Sequence, residues 1–307
     1  MSRLKDDRGS ALVFIVIFMI GLWALLGVVL DAGSWYRAQR HVQAAADAAA
    51  LAGAQDLPDT STATSSATTY ANDNVSDLDA WSPMFPDSAT IDVKLSKPAP
   101  GFFAELLGIS SVTVHGHARA QVGTPGSLKN VAPIAIKASS ACTSDSSGCF
   151  GTPKRVTFDD TTTTTFSSST TFGLLDLGGS STNSAACSGN VGQADQAGWI
   201  RSGYPGLLGV NRYYGATTGQ RIALRNALAD MLGEILLIPV FDTANKSWCT
   251  AGGFHVIGWA AFVVESIVDW RPSVKTITGH FVVFIAHDVE STPGVPGFGV
   301  KVIALIQ

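Results

Sequence analysis

The sequence predicts an α+β protein. A single N-terminal transmembrane helix continues into an extracytoplasmic helix, and a β-rich region with antiparallel sheet follows. Three observations predict this fold class. Residues 11–30 contain no charged side chain, and a helix of about 20 apolar residues crosses the hydrocarbon core of a bilayer. Residues 31–57 keep a helical composition but become polar and rich in alanine. The C-terminal part contains long alternating apolar runs, which are typical of strands.

The composition excludes one broad class of function. Hydrophobic residues make up 46% and charged residues 14% of the 307-residue chain, whereas a typical soluble domain has about 25% charged residues. The net charge is −4, and lysine and arginine form no long run. Nucleic-acid binding needs a basic surface, so we expect no nucleic acid among the partners. The 31 glycines predict many turns, in keeping with a β-rich body.

The first 30 residues predict a retained membrane anchor and its orientation. Residues 1–10 contain three cations before the apolar run, so the positive-inside rule places them in the cytoplasm and the C-terminal region outside. The apolar run exceeds the roughly 7–15 residues of a signal-peptide core, and residues 31–33 offer no clear cleavage site. We therefore predict a single-pass protein of the cell membrane, with residues 11–30 as its transmembrane helix.

Residues 31–57 are predicted to form an extracytoplasmic, alanine-rich helix with one packing face. Small side chains let another helix or a sheet approach closely, and alanine is the strongest helix former. Pro58 marks the end of the helix, because proline cannot continue it. Two interpretations stay open: a rigid stalk packed on its own domain, or a helix that packs against other subunits. The residues that share the predicted packing face at helical spacing are Val42, Ala45, Ala49 and Ala52.

Residues 58–130 are predicted to contain a linker and a small β-α-β piece. The polar, low-complexity stretch at 59–69 is typical of a linker or a weakly ordered loop. Residues 91–96 alternate like a strand. A short helix over 101–108 and a second strand over 112–122 complete the predicted piece.

Residues 131–307 are predicted to form a β-rich extracytoplasmic domain. Three long alternating runs, at 252–268, 275–289 and 298–307, predict strands of an antiparallel sheet. Their apolar residues lie on both faces, so we expect a helix, a second sheet or a partner to cover the sheet. A threonine- and serine-rich tract at 160–171 fits strands, a flexible segment or glycosylation, and the sequence leaves these three open.

All four cysteines lie beyond the membrane segment, so we expect structural disulfides on the oxidising side of the membrane. Four cysteines allow three pairings. Pairing the first two would close a small loop rich in turn formers and leave the last two for each other. A zinc site is the alternative, but zinc ligands usually come in pairs two to four residues apart, whereas the closest pair here is seven apart. The candidates are Cys142, Cys149, Cys187 and Cys249.

No residue pattern predicts catalysis, a cofactor or a metal. His115 and His117 alternate on one strand, but no third ligand is visible nearby, so a solvated strand face is the better interpretation. His255, His280 and His287 are scattered over the last strands. The sequence contains neither a nucleophile elbow nor a phosphate-binding loop. We therefore predict that the protein is not an enzyme.

Two stretches of the N-terminal region resemble a known family. These are RGSA before the apolar run and LDAGSWYRAQRHVQAAADAAALAGAQDL after it. Together they resemble the N-terminal module of the TadE/TadG-like proteins of the Flp, or tight-adherence, pilus system. The strongest likeness joins Asp31 at the membrane edge to residues 43–52, and it covers about 50 residues. A shorter likeness covers residues 102–123, where related proteins have a short helix and a strand.

Two departures refine what the resemblance implies. Pilins of this system are cleaved after a glycine that a glutamate follows five residues later, whereas here Gly9 is followed by Phe14. This favours an uncleaved, TadG-like membrane component. Some TadG-like proteins also carry an adhesion domain whose metal site begins D-x-S-x-S, but here Asp176 is followed by Gly178 and Ser180. The sequence after it lacks the alternating strands and helices of that fold.

The resemblance implies a membrane-anchored structural or scaffold component of a tight-adherence (Flp/Tad) pilus or of a related secretion apparatus. The implied partners are the membrane, other pilus-assembly or pilin subunits, and further copies of the chain. The alternative hypothesis is a membrane-anchored surface adhesin that binds an external ligand through the C-terminal domain. A secreted or anchored hydrolase is the third class, and the missing nucleophile motif disfavours it.

Overall fold

The computed structural model describes most of the chain, and its residues form two compact units. The first unit comprises Met1–Val122 and Ala304–Gln307, and the second comprises Gly123–Ile303. The described residues are 8–143, 148–159, 172–177, 185–186, 191–217, 222–245, 247, 249, 252–270 and 274–306.

The first unit begins with the long helix α1, Arg8–Asp56. At about 1.5 Å per residue it is roughly 70 Å long. The helix is long and apolar enough to cross a membrane, and almost none of its apolar segment is buried. The large apolar side chains from Leu12 to Leu30 are exposed, which suits a helix surrounded by lipid. The helix therefore supports membrane anchoring.

A second helix, α2, covers Thr60–Asn74, where the sequence predicted a linker or a weakly ordered loop. The side chain of Asp59 caps it by accepting hydrogen bonds from the backbone N–H groups of Ser61 and Thr62. The helix was missed because serine and threonine dominate its composition. Its apolar signal is an alanine stripe at i, i+4 spacing that is fully buried: Ala63, Ala67 and Ala71.

The first unit also contains three antiparallel strands, β1 (Met84–Asp87), β2 (Thr90–Pro100) and β3 (Ser111–Gly123). Strands β2 and β3 pair without a break from Thr90↔Gln121 to Pro100↔Ser111. They are joined by a 3-10 turn at Ala104–Leu107, where the sequence predicted a short helix. Every second residue of β3 lies on the buried face of the strand, and these residues are small or branched: Val114, Gly116, Ala118 and Ala120.

The chain after β3 contains two α-helices and twelve strands among the described residues. They are β4 (Ser127–Leu128), β5 (Ile134–Lys137), β6 (Pro153–Asp159), β7 (Phe172–Asp176), β8 (Ala185–Ala186), α3 (Gln193–Ser202), β9 (Leu208–Gly209), β10 (Arg212–Ala216), α4 (Ile222–Asp230), β11 (Ile235–Asn245), β12 (Gly253–Trp270), β13 (Val274–Val282), β14 (Phe284–Ile285) and β15 (Val300–Ile306). The second unit is built on an eight-stranded sheet, in the order β6-β13-β12-β11-β5-β7-β10-β8. Strand β12 is the longest at 18 residues and pairs antiparallel with β11 and β13. A separate two-stranded pair joins β4 to β9.

The eight-stranded sheet has an apolar core on each face, as its two-sided pattern predicted. One core contains Ile200 of α3 and Leu228 of α4 packed with strand residues such as Phe262. The other contains Trp259 and Phe254 of β12. The last predicted strand pairs differently from the other two. Strand β15 begins beside β14 in parallel and belongs to a different sheet from β12 and β13, although Phe298 and Gly299 just before it form isolated bridges to Ala260 of β12.

The cysteines of the second unit are in disulfides wherever they are described. Cys142 and Cys149 form a disulfide with their Cα atoms 5.7 Å apart, which closes the small loop predicted from the sequence. Cys249 is also disulfide-bonded. Cys187 lies outside the described residues, as does the threonine- and serine-rich tract at 160–171.

Candidate functional site

The candidate functional site is the buried face of α1, which extends from the last turn of the apolar segment into the alanine-rich half. Its residues are separated by three, four or eleven positions, which are all close to whole helical turns, so they lie on one side of the helix. The four residues predicted from the sequence lie on it with exposures of 0–6%. They face the sheet and α2 of their own unit. The residues of this face are Gly27, Asp31, Val42, Ala45, Ala49 and Ala52.

Asp31 fixes the turn between β2 and β3 to the helix. Its side chain is 2% exposed. The carboxylate accepts hydrogen bonds from the backbone N–H groups of Phe102 (2.8 Å), Phe103 (3.0 Å) and Ala104 (2.6 Å). A buried carboxylate is costly unless it is hydrogen-bonded, and bonds to a charged acceptor are the stronger kind. Three N–H donors therefore stabilise a charge placed directly after the apolar run.

Two further contacts hold the same turn on either side of Asp31. The indole Nε1 of Trp35 donates to the carbonyl of Pro100 at 3.1 Å. One turn below Asp31, the Phe103 ring lies so close to Gly27 that an added Cβ would stand 2.8 Å from its Cγ. The turn is thus attached to α1 over two helical turns.

Gln43 attaches the next part of α1 to β3. Its side-chain amide pairs with the backbone of His117: Nε2 donates to the carbonyl at 2.8 Å, and Oε1 accepts from the N–H at 3.1 Å. The amide thus takes the place that a neighbouring strand would occupy. Beside it, a Cβ added to Gly116 would lie 2.5 Å from the carbonyl oxygen of Val42. Helix backbone and strand backbone are therefore in direct contact, and only glycine fits between them.

The end of α1 is enclosed on a second side by α2. A Cβ added to Gly53 would meet Ile91 of β2 at 2.5 Å and Ala67 of α2 at 3.2 Å. Sequence reasoning missed these buried positions because it did not predict α2. The signal that could have revealed them is the continuous run of small residues itself. The additional buried residues are Ala46, Ala50, Gly53 and Ala54.

Asp92 forms a polar cluster on the opposite face of the same sheet. It is 2% exposed and bonds to Nη2 of Arg119 at 2.7 Å and to Nε2 of His117 at 3.0 Å. Burial alone would raise the pKa of Asp92. The hydrogen bonds from Arg119 and His117 outweigh that effect, so its pKa lies below the usual value. The cluster is an ion pair that links neighbouring strands.

The histidines do not gather into a metal site within the described part of the chain, where no group of three or more metal-ligating side chains occurs. His115 is exposed, and His117 bonds to Asp92. In the second unit, Nδ1 of His255 lies 2.8 Å from Asp242, and Nδ1 of His280 lies 2.8 Å from Glu265.

The adhesion-type metal motif considered from the sequence is only partly described. Asp176 is the last residue of β7 and is 9% exposed. Gly178 and Ser180 lie outside the described residues.

Comparison with known proteins bears on the N-terminal helix. Residues 9–56 match the Tad family, described as Flp pilus-assembly TadE/G-like. The matched range ends where α1 ends and includes Asp31, Gln43 and the predicted packing face. Neither the curated proteins nor the solved structures contain a match to the chain. The match confirms the resemblance drawn from the sequence and supports involvement in Flp pilus assembly: residues 9–56 are a TadE/G-like N-terminal module.

Proposed function

We propose that the protein is a membrane-anchored scaffold component of a tight-adherence pilus or of a related secretion apparatus. Its N terminus is cytoplasmic, and the chain from residue 31 onward is extracytoplasmic. It works by binding other pilus-assembly subunits and carries out no catalysis. The proposal extends the TadE/G-like match of residues 9–56 to the function of the whole chain.

The observation that carries the proposal is how the TadE/G-like module uses its polar residues. Asp31 and Gln43 both bond to the backbone of their own unit, at the Phe102–Ala104 turn and at His117. The membrane helix is therefore attached to the strands of the first unit over many helical turns. Because no hinge separates the membrane helix from the sheet of the first unit, that sheet is held at a fixed distance from the membrane. A scaffold protein needs such a fixed position.

The opposite flank of α1 is open to other subunits. Along the helix, exposed residues on this side lie between the residues of the buried face in the sequence. Because the buried face is occupied by its own unit, subunit contacts fall on this flank and on the lipid-exposed apolar segment. The exposed flank includes Gly33, Tyr36, Arg37, Arg40 and Ala44.

A deletion with complementation tests the proposal. In cells that build tight-adherence pili, deletion of the gene is expected to abolish surface pili counted by electron microscopy, and the intact gene is expected to restore them. A Gly116→Val copy should fail, because it separates α1 from β3. The Gly198→Val control should succeed, since Gly198 belongs to α3 and nothing lies within 4 Å of a Cβ added there. Unchanged pilus numbers in the deletion strain would contradict the proposal. If those cells also failed to attach, the adhesin hypothesis would replace it.

A further inference from the structure

We infer that the turn at residues 102–109 inserts into the outer interface of the bilayer that α1 crosses. Its partner is the lipid surface itself, at the boundary of headgroups and acyl chains. The inference rests on the membrane anchoring of α1 and is independent of the pilus role. It adds a second membrane contact to a protein otherwise attached by one helix.

The first observation is an apolar surface that the unit does not cover. Phe102 is 67% exposed, Leu106 is 84% exposed and Ile109 is 47% exposed. They crowd into one short turn, whereas single exposed apolar residues are normal on a protein surface. Residues 98–114 contain a single charged side chain, that of Glu105. An apolar turn with so little charge suits an environment less polar than water.

The second observation is the height of this turn along α1. Phe103 packs on Gly27, which belongs to the uncharged run of residues 11–30. Gly27 lies four residues before Asp31, or about 6 Å nearer to the centre of the bilayer along an upright helix. The three hydrogen bonds to Asp31 hold the turn at that height. If α1 spans the bilayer, the turn cannot avoid the interface.

The third observation is the charge just above the turn. Arg37, His41 and Lys97 line a groove of about 260 Å³ beside Ser34. Arg37 lies six residues beyond Asp31, or roughly 9 Å farther from the membrane centre, close to the level of the lipid headgroups. Arg37 and Lys97 are cations at this height, and cations there attract anionic headgroups. Interfacial membrane anchors combine an apolar surface that enters the membrane with basic residues at the level of the headgroups, as found here.

Depth-dependent quenching tests the inference on the full chain in liposomes. Three variants, each with one added cysteine, carry an environment-sensitive fluorophore: Leu106→Cys in the turn, Phe18→Cys in the apolar segment and Ser65→Cys on the exposed side of α2. The four native cysteines are controlled by treating the parent chain identically under non-reducing conditions. Lipids carrying a nitroxide either near the headgroup or near the middle of the acyl chain act as quenchers.

The expected result is a blue-shifted emission at position 106 that the shallow nitroxide quenches more than the deep one. Position 18 should show the reverse order, and position 65 should lose no fluorescence. Quenching at 18 without quenching at 106 would overturn the inference while leaving the anchor intact. A blue shift at 106 without any lipid quenching would also overturn it, because the turn would then be covered by protein, such as a second copy. Absence of quenching at 18 and 106 alike would reject the anchor as well.

Discussion

In the first unit, α1 packs on its sheet and on α2 through alanine and glycine, and polar side chains bond directly to backbone groups. In the second unit, α3 and α4 pack on their sheet through leucine, isoleucine and phenylalanine. The first kind of contact depends on backbones that approach closely, as Gly116 and Val42 do. The second depends on the volume and area of large side chains. Substitutions that enlarge a buried residue should therefore destabilise the first unit most, and substitutions that shorten a buried side chain should destabilise the second unit most.

The largest effect is expected from removing a large side chain in the second unit. Trp259 is fully buried, and its Nε1 donates to the carbonyl of Pro125 at 3.0 Å. Trp259→Ala should destabilise this unit by about 3–5 kcal/mol, because a cavity remains and a carbonyl loses its donor. Hydrogen exchange followed by mass spectrometry should show faster exchange in β11–β13. Unchanged exchange there would contradict the volume-based account of this unit.

The opposite change, adding atoms, should affect the first unit. Gly116→Val places side-chain atoms where the backbone of Val42 lies, so it should cost about 1–3 kcal/mol or more. This loss should appear although valine is a better strand former than glycine. Gly33→Val is the matched control with open space around it. Equal melting temperatures for the two variants would mean that α1 does not pack closely against β3 at Gly116.

A smaller effect is expected from changing the acceptor that holds the turn. Asp31→Asn keeps the shape of the side chain but replaces a carboxylate oxygen with an N–H₂ donor. At least one backbone N–H among residues 102–104 then loses its acceptor, and about 1–3 kcal/mol of stability should be lost. Asp73→Asn, on the exposed side of α2, serves as the control. The measurement is amide exchange at residues 101–110, and equal protection in both variants would refute the role assigned to Asp31.

The comparison also explains which features the sequence could predict. The packing face of α1 was visible because small residues at helical spacing are a local pattern, and structure places all four predicted residues in buried positions. The function of Asp31 in holding the turn was not visible, because its partners lie 71–73 residues away and bond through backbone groups that have no sequence signature. Its position at the membrane edge was the only available signal.

Helix α2 and the neighbours of strand β15 differ from the prediction for different physical reasons. In α2, serine and threonine lower helix propensity, and burial of the alanine stripe against α1 overrides that preference. Alternation predicted that β15 is a strand, but alternation does not specify the neighbour with which a strand pairs. The first loop of the disulfide framework was predictable because short sequence separation and turn formers brought Cys142 and Cys149 together.

The two units should also differ in their response to alkaline pH. Burial raises the pKa of Tyr214 in the second unit, although its hydrogen bond to Gly209 opposes the shift. A raised pKa means that the folded state favours the neutral phenol. The stability from Tyr214 is therefore present below the unfolded value of about 10 and is lost as pH rises above it. Tyr214→Phe should flatten the alkaline decline in stability of this unit, and an unaltered decline would show that Tyr214 does not control it.

The smallest predicted effect is a loss of stability of the first unit at acidic pH. The pKa of Asp92 is lowered, because bonds from Arg119 and His117 outweigh the effect of burial. The folded state therefore favours the carboxylate. Its stabilisation is fully present above the unfolded value of about 3.9 and is lost as pH falls through the lower folded pKa. Melting curves recorded from neutral pH to below about pH 4 should show the onset of this loss in the parent chain.

Asp92→Asn provides the control for that titration. Asparagine cannot ionise, so the variant should start less stable at neutral pH, where a cation remains beside a neutral amide, and should lose less on acidification. Exchange of β2 and β3 amides assigns the effect to the first unit rather than to the second. If the parent and the variant lost the same stability below pH 4, the ion pair would contribute nothing. The close contact of α1 with the inner face of the sheet would then hold β2 and β3 together without it.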